Sequence, residues 1–450
     1  MSELAAAAAR AVEAALAAGA GEAEAYASED AGREVRVHGG EVESLTAATQ
    51  RGIGVRAWLG GRVGYAYGTD SSEQGVAAIA ARAAEAAQAA DEDEFAGPPR
   101  SAPPPPLEGL RDPSVEEWPT TRVVELALEV ERTALAADSR IAAVETAVYA
   151  DSAERVAIVS SAGVNGEFES SSAYAFLQAL AAGDGGRESG LGFGLARGPA
   201  GLDPAAIGVE GAERAAAMIG ASKPASRSCP VVLDPTVAAS FAALIGSTLG
   251  ADAVQRGRSP FAERLGEEIA GTALVLHDDG LDPDGPASSP FDGEGIPRRR
   301  SALIEDGLLR AYLYDTYTAR RGDTKSSGNA GRSGYRSLPS VAASNLIVAP
   351  GPLSLLELID EAGEGIYVTD VAGLHSGINP VSGTFSVGAS GQAIHNGETA
   401  EPLREFTIAG DLVSMLGAVR SAGADSRWVP FGGSVCTPAL LIGEMTIGGS

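Results

Sequence analysis

The chain has 450 residues, of which 44% are apolar and 21% charged, and its formal net charge is −27. The length allows two or three domains with buried cores, and the apolar content argues against a disordered chain. The acidic balance argues against a nucleic-acid partner, because such binding depends on clustered lysine and arginine.

The N-terminal 25 residues are rich in alanine and predict an amphipathic helix. Glu3 precedes the apolar run and Arg10 interrupts it, unlike the basic start and unbroken apolar core of a signal peptide. No apolar run reaches the ~18–20 residues of a membrane helix. We therefore expect a cytoplasmic protein without a membrane span, in which the thiols of Cys229 and Cys436 are reduced.

Residues 1–97 are predicted to form an N-terminal α/β subdomain. Two Gly-Gly pairs separate runs of alternating polar and apolar residues, a pattern typical of β-hairpins. A helix is expected over 71–90. The strands are expected at 33–38, 41–49, 53–59 and 63–67.

A proline-rich linker at 98–113 leads to a second α/β subdomain at 114–228. This segment predicts a helix, alternating strands, a glycine-rich exposed loop and a closing helix. The loop lacks the strand-to-helix context of a dinucleotide-binding motif. The elements are expected at 114–137, 141–178, 182–194 and 203–220.

Residues 229–450 are predicted to form a β-rich C-terminal domain. A short buried strand ends at Asp234, a good N-cap, and Pro235 suits the first position of a helix. A second helix is expected near 411–419, and many short strands punctuated by turns indicate a barrel. The fold class is thus α+β: an N-terminal α/β region with hairpins and helices, and a C-terminal antiparallel β-rich, barrel-like domain. Its strands are expected at 273–277, 301–305, 308–314, 344–349, 365–371, 384–389, 392–396, 401–408 and 439–447.

Two loops hold side chains suited to binding a peptide. One follows a predicted strand bearing three tyrosines and is basic in an acidic chain, so it can clamp a peptide carboxylate; local charge balance is an equal alternative. The other, at 368–391, is rich in Gly, Ser and Asn, and a loop held by internal hydrogen bonds is its alternative. The candidate peptide-binding or chamber-lining residues are Lys325, Asn329, Arg332, Asp370, His375 and Asn379.

Motifs for other chemistry are missing from the sequence. None of the four histidines has another at i+3, i+4 or i+5, so no helix presents two imidazoles to one metal ion. There is no GxSxG motif, and neither cysteine lies in a CxxC pair.

Long stretches of the chain resemble the TldD/PmbA family (PmbA is also called TldE). Together they cover nearly the whole sequence. The resemblance implies peptide processing in the cytoplasm, where a TldD-type subunit pairs with a TldE-type subunit. The stretches are 52–70, 252–261, 278–321, 325–332, 368–391 and 426–449.

The TldD arm of the family is similar to zinc peptidases with an HExxxH helix and a later cysteine ligand. When that motif is aligned with the helix after Pro235, its histidines fall on Ala242 and Ser247 and its glutamate on Ala243. The expected cysteine position is not filled, and Cys436 lies further on. Alanine offers neither a zinc ligand nor a general base.

The resemblance therefore implies a TldE/PmbA-like subunit without catalytic residues or metal of its own. Zinc is expected only in a TldD-like partner, and the substrates would be unfolded or small peptides. Two alternatives stay open: a hydrolase that acts alone through His375 with Asp370, Lys325 or Cys436, and a homodimeric peptide-binding protein without catalysis.

Overall fold

The computed structural model describes residues 2–101, 104, 106–183, 186–430 and 433–450. Positions 102, 103 and 105 of the predicted linker, and 184–185 of the predicted glycine-rich loop, lie outside these ranges. Of the helices within them, none combines the length and the apolar character that crossing a membrane needs.

The first part of the chain forms two β-hairpins between two helices, as predicted. Each Gly-Gly pair has positive φ at both residues, 63° and 80° in the first turn and 58° and 79° in the second, which the mirror-image hairpin turn requires. The runs expected at 41–49 and 53–59 form one continuous strand, and the strand expected at 33–38 begins earlier, at Glu22. The elements are α1 Glu3–Ala17, β1 Glu22–His38, β2 Glu41–Leu59, β3 Arg62–Gly68 and α2 Glu73–Ala89.

The next part differs from the prediction at two places. The helix expected over 114–137 is interrupted, because Trp118 precedes a proline and adopts an extended ψ of 122°. The predicted exposed loop at 182–194 belongs mostly to strands. The elements are α3 Ser114–Glu117, α4 Thr120–Ala137, β4 Ile141–Ser160, β5 Asn165–Gly183, β6 Gly186–Ala196, a 3-10 turn at Pro199–Gly201 and α5 Pro204–Ala217.

The glycines of β6 let α5 pack directly on the sheet. A Cβ at Gly190 would lie 2.2 Å from the backbone nitrogen of Ala215, and one at Gly192 would lie 2.1 Å from the carbonyl oxygen of Ile207. Contacts this short cannot be relieved by rotating a side chain. The glycines therefore serve helix packing, not a flexible loop.

Within the described ranges, these strands form one six-stranded antiparallel sheet in the order β3-β2-β1-β4-β5-β6. Alternate residues of β1, such as Ala23, Ala25 and Val35, are buried under α1, α2 and α4. The residues between them, such as Glu24 and Tyr26, face the other way. The sheet thus has one face covered by helices and one face turned to the C-terminal domain.

The C-terminal domain begins with a strand and a buried helix. Asp234 caps that helix by accepting from the Thr236 N–H at 2.9 Å, as the sequence predicted. The elements are β7 Arg227–Leu233, α6 Pro235–Thr248, α7 Ala251–Gln255, β8 Leu276–Asp279, β9 Arg300–Glu305, β10 Leu308–Leu309, α8 Thr316–Arg321, β11 Ala330–Gly331, β12 Ser340–Val341, β13 Asn345–Val348, α9 Leu355–Ala362, β14 Gly365–Ala372, β15 Thr384–His395, β16 Glu398–Asp411, α10 Leu412–Gly417, β17 Val419–Ala422, β18 Arg427–Val429, β19 Ser434–Thr437 and β20 Leu440–Gly448.

Five of these strands close into a barrel, which confirms the predicted fold class. The order is β16-β15-β14-β7-β20, and β20 pairs back onto β16 through Ile408 and Ile447. All neighbours are antiparallel except β7 and β14, which run parallel. A second sheet, β10-β9-β8-β13-β19-β18, lies across α6, so this helix is packed between two sheets.

Two local predictions for this domain were wrong, and one helix was not predicted. The strand expected at 308–314 ends at Leu309, and Tyr317 lies in α8, where the Asp315 side chain accepts from the Thr318 N–H at 2.8 Å. The strands expected at 384–389 and 392–396 are one continuous β15. Helix α9 was not predicted, although Ser354 and Glu357 form a capping box at its start.

We predict that Gly192→Ala lowers the thermal unfolding midpoint by several degrees, because its Cβ meets the α5 backbone and overpacking costs about 1–3 kcal/mol. Gly417→Ala is the matched control, since that glycine has open space around it. The control is expected to change the stability by less than about 0.5 kcal/mol. Scanning calorimetry measures both, and equal midpoints for the two variants would contradict the close-packing argument.

Candidate functional site

Helix α6 holds the three positions at which the family resemblance places zinc chemistry. Its start is fixed by the buried carboxylate of Asp234, which also accepts from Tyr367 Oη at 2.7 Å and from Arg214 Nη2 at 3.2 Å. The strand, cap and helix that a metal-binding motif would need are therefore all present.

The side chains at the three positions do not fit a zinc ion. Ala242 is 4% exposed and lies against a small apolar cavity of about 20 Å³ that Phe241 and Met415 also line. Ala243 is half-buried, and the exposed Ser247 donates its hydroxyl to the Leu244 carbonyl at 2.7 Å. Two methyl groups and a hydroxyl bonded to its own helix provide no donor set for zinc.

The described residues also offer no substitute metal site. They contain no group of three or more His, Cys, Asp and Glu side chains that could hold an ion. Cys436 lies on β19 opposite Trp428. Burial, together with the charges of Asp282 and Asp284, raises the pKa of the Cys436 thiol to about 11, which disfavours the thiolate that a metal requires.

The six candidate peptide-binding residues lie on two separate segments. Lys325 is exposed after α8, whereas Asn329 is buried and donates to Asp278 Oδ2 at 2.6 Å. His375 is exposed in the turn between β14 and β15. In the ranges that the structure describes, no hydrogen bond or ion pair joins Lys325, Asn329 or Arg332 to Asp370, His375 or Asn379.

The turn that contains His375 is held from within. Asn379 accepts from the Val381 and Ser382 N–H groups at 3.0 and 3.3 Å, the internal bonding that the sequence offered as an alternative. Burial raises the pKa of Asp370 at the end of β14. No hydrogen bond or ion pair joins His375 to Asp370 within the described ranges.

A buried ion network joins the N-terminal sheet to the C-terminal domain, and the sequence did not reveal it. Arg56 donates to both carboxylate oxygens of Glu24, its cross-strand neighbour, at 3.1 and 2.5 Å. A third donor of Arg56 reaches Glu294 Oε1 at 3.0 Å, and Arg332 Nη1 reaches Glu24 Oε1 at 3.1 Å. All four side chains are nearly inaccessible to solvent: Arg56 is 8% exposed, Glu24 0%, Glu294 4% and Arg332 1%. We call these residues the junction network.

The surrounding groups stabilise the charges of the junction network. Burial alone would raise the pKa of Glu294, but the Arg56 charge and a hydrogen bond from the Thr316 N–H at 2.9 Å hold it below its usual range. Burial and then the Glu294 charge raise the pKa of the nearby Asp292. Asp292 is nonetheless fixed, because its oxygens accept from the backbone N–H groups of Glu294, Ile296 and Ala330.

Glycines on β2 allow the C-terminal domain to approach the sheet. A Cβ at Gly52 would lie 2.3 Å from the ring of Tyr335, and one at Gly54 would lie 2.4 Å from the Tyr335 carbonyl oxygen. Tyr65 Oη donates to that same carbonyl at 2.5 Å. The alternation of glycine with Arg56 along this face of β2 is the sequence signal from which the contact could have been inferred.

Comparison with known proteins matches most of the chain to the domain models of one family. The PmbA/TldA metallopeptidase domain 1 matches residues 23–87, the central domain of the same family matches 113–219, and its C-terminal domain matches 226–449. Metalloprotease PmbA of Escherichia coli O157:H7 is 28% identical over 95% of this chain and 92% of its own length.

Two further relatives represent both arms of the family. A metalloprotease TldD homologue of Buchnera aphidicola subsp. Schizaphis graminum is 29% identical over 46% of this chain and 45% of its own. The crystal structure of TldE from Thermococcus kodakarensis has a TM-score of 0.91 at 22% identity and covers 98% of this chain and 100% of that one. The latter similarity shows a shared fold.

We predict that Arg56→Met destabilises the protein by about 3–5 kcal/mol, because it leaves two buried carboxylates without their shared cation. Arg36→Met is the control: Arg36 pairs with Glu34 at 3.4 Å, and both side chains are more than two-fifths exposed. That change is expected to cost less than about 1 kcal/mol. Urea unfolding followed by circular dichroism measures both, and similar losses would contradict a dominant role for the network.

We also predict slow alkylation of Cys436 by iodoacetamide at neutral pH. Its raised pKa means that the reactive thiolate is scarce below about pH 11 and accumulates as the pH rises through that value. Site-resolved mass spectrometry across a pH series, with glutathione as the reference thiol, measures the rates. Labelling at pH 8 as fast as that of glutathione would contradict the prediction.

Proposed function

The chain belongs to the PmbA/TldD metallopeptidase family, and from this premise we propose that it is a metal-free, TldE-like subunit of a TldD-type zinc peptidase. In this role it would bind a TldD-like partner that holds the zinc ion. It would contribute walls and an entrance to the space in which unfolded or small peptides are cleaved.

The proposal rests on the side chains that helix α6 presents at the three positions of the zinc motif. The helix is capped, buried and packed between two sheets, yet Ala242, Ala243 and Ser247 supply neither a zinc ligand nor a general base. A framework present without its chemistry fits a supporting subunit, which needs the shape of the fold but not its activity.

An open strand edge supports pairing with another subunit. β2 pairs with β3 only between Ile53 and Leu59. Residues 41–51 of β2 therefore pair with β1 on one side, and no other strand of the described chain pairs with them on the other side. All ten residues from Glu41 to Gln50 are exposed, with Val42 and Leu45 at 43% and 47%. An unpaired edge of this length offers backbone hydrogen bonds to a partner.

We predict that the purified chain carries far less than one zinc ion per molecule after incubation with zinc and desalting. A paralogue with an HExxxH helix, prepared in the same way, is the positive control. Inductively coupled plasma mass spectrometry gives the ratio. Stoichiometric zinc in the isolated chain would overturn the proposal.

The pairing itself is tested by co-expression with such a paralogue from the same genome. The proposal expects a stable mixed complex on size-exclusion chromatography and peptide cleavage only by that complex. Cleavage by the pure chain that disappears in His375→Ala would instead establish the stand-alone hydrolase.

A further inference from the structure

A polar cavity of about 210 Å³ lies beside the junction network, between the N-terminal sheet and the C-terminal domain. Tyr26 of β1 and Glu154 of β4 line one side. The opposite side is formed by the segment around Asp292 and Arg298 and by Arg332. We call it the junction cavity. A cavity needs only about 10–15 Å³ to hold one water molecule. The junction cavity is many times larger, so it can admit a small organic molecule.

Arg332 has a hydrogen-bonding group that the protein leaves unused. Its side chain is 1% exposed; Nε donates to the Ser337 carbonyl at 3.1 Å and Nη1 donates to Glu24. Nη2 is buried and has no partner among the described residues. A buried guanidinium donor without an acceptor costs about 1–3 kcal/mol, which an anionic ligand would recover.

Other groups in the cavity reinforce this preference for an anionic group. Arg298 is a second guanidinium of the lining; its Nε and Nη1 are held by Ser289 and the Gly328 carbonyl. The Arg332 guanidinium lies 4.6 Å from the centre of the Tyr26 ring, which holds it in place. Two fixed arginines therefore line one cavity, and a guanidinium matches the geometry of a carboxylate.

Glu154 gives the same cavity an acidic side. It forms no hydrogen bond or ion pair with the described residues, and its cross-strand neighbours are Asp30 and Ser170, neither of which is a cation. Burial, and then the Asp30 charge, raise its pKa, so a cation beside it would be stabilising. The cavity lining thus holds two arginines, the unpaired carboxylate of Glu154, and Asp292, whose oxygens already accept from backbone N–H groups.

We propose that the junction cavity binds a small zwitterion, a free amino acid or a dipeptide, with its carboxylate on Arg332 and Arg298 and its ammonium group on Glu154. The Glu154 charge would repel a simple anion, and the two arginines would repel a simple amine. A molecule with both charges satisfies both sides. The T-shaped pair of Phe168 and Phe291, 5.2 Å apart, gives an apolar wall for a small side chain. The inference rests on the cavity alone and holds whether or not the chain pairs with a zinc peptidase.

Isothermal titration calorimetry of the full chain tests the proposal with four probes: glycylglycine, sodium acetate, ethylamine hydrochloride and inorganic phosphate. We expect glycylglycine to bind at least about tenfold more tightly than any other probe, a difference of about 1.4 kcal/mol. A site of millimolar affinity or better would be mostly occupied at about 10 mM glycylglycine. If no binding is measured at that concentration, the proposal is overturned. Equal or tighter binding of phosphate or acetate overturns it too, since that would indicate a plain anion site.

Variants locate the site without disturbing the junction network. Glu154→Gln is expected to weaken glycylglycine binding by at least about tenfold. Glu145→Gln changes an exposed glutamate of the same strand and is expected to have no effect. Ser170→Leu fills the cavity from its wall and is expected to abolish binding while circular dichroism stays native. Unchanged affinity in Glu154→Gln or in Ser170→Leu overturns the assignment.

Discussion

Two arginines and two glutamates lie where the N-terminal sheet meets the C-terminal domain, with almost no water to screen them. Removing such charges from water is costly, so the arrangement persists only because each charge faces an opposite one at hydrogen-bond distance. Arg56 can satisfy both Glu24 and Glu294 because a guanidinium presents its donors in a fixed plane. The close approach of Tyr335 to Gly52 and Gly54, and the cavity beside Tyr26, lie at the same boundary between the sheet and the C-terminal domain.

The parts of the fold that the sequence predicted are those that depend on neighbours along the chain. The Gly-Gly hairpins, the cap at Asp234 and the helix after Pro235 are each determined within a few residues. The pairing of β1 with β4 and the closure of the barrel by β20 bring together residues far apart in sequence, and no local pattern contains that information. Helix α9 is a different kind of miss, because its capping box at Ser354 and Glu357 is a local signal that the sequence contains.

The candidate site was predictable to a smaller degree. The significance of Ala242, Ala243 and Ser247 comes from the family resemblance and not from their own chemistry. The basic loop was expected to clamp a peptide carboxylate, with local charge balance as the alternative. Its members separate: Lys325 is exposed, while Arg332 is buried and donates to Glu24, about three hundred positions earlier in the chain. Composition identifies a charged segment, but the position of its distant partner decides which charges are exposed.

The closed barrel has a consequence for how this protein acquires its structure. β7 and β20 are adjacent strands, yet nearly the whole C-terminal domain separates them along the chain. Bringing such distant segments together costs entropy before any contact compensates for it, so we expect slow folding with a late closing step. Helix α6 follows β7 immediately, and the sheets on either side of it include β13, β19 and β20. We therefore expect its apolar surface to stay exposed until those strands pair, which makes this helix vulnerable to misassociation in a newly made chain.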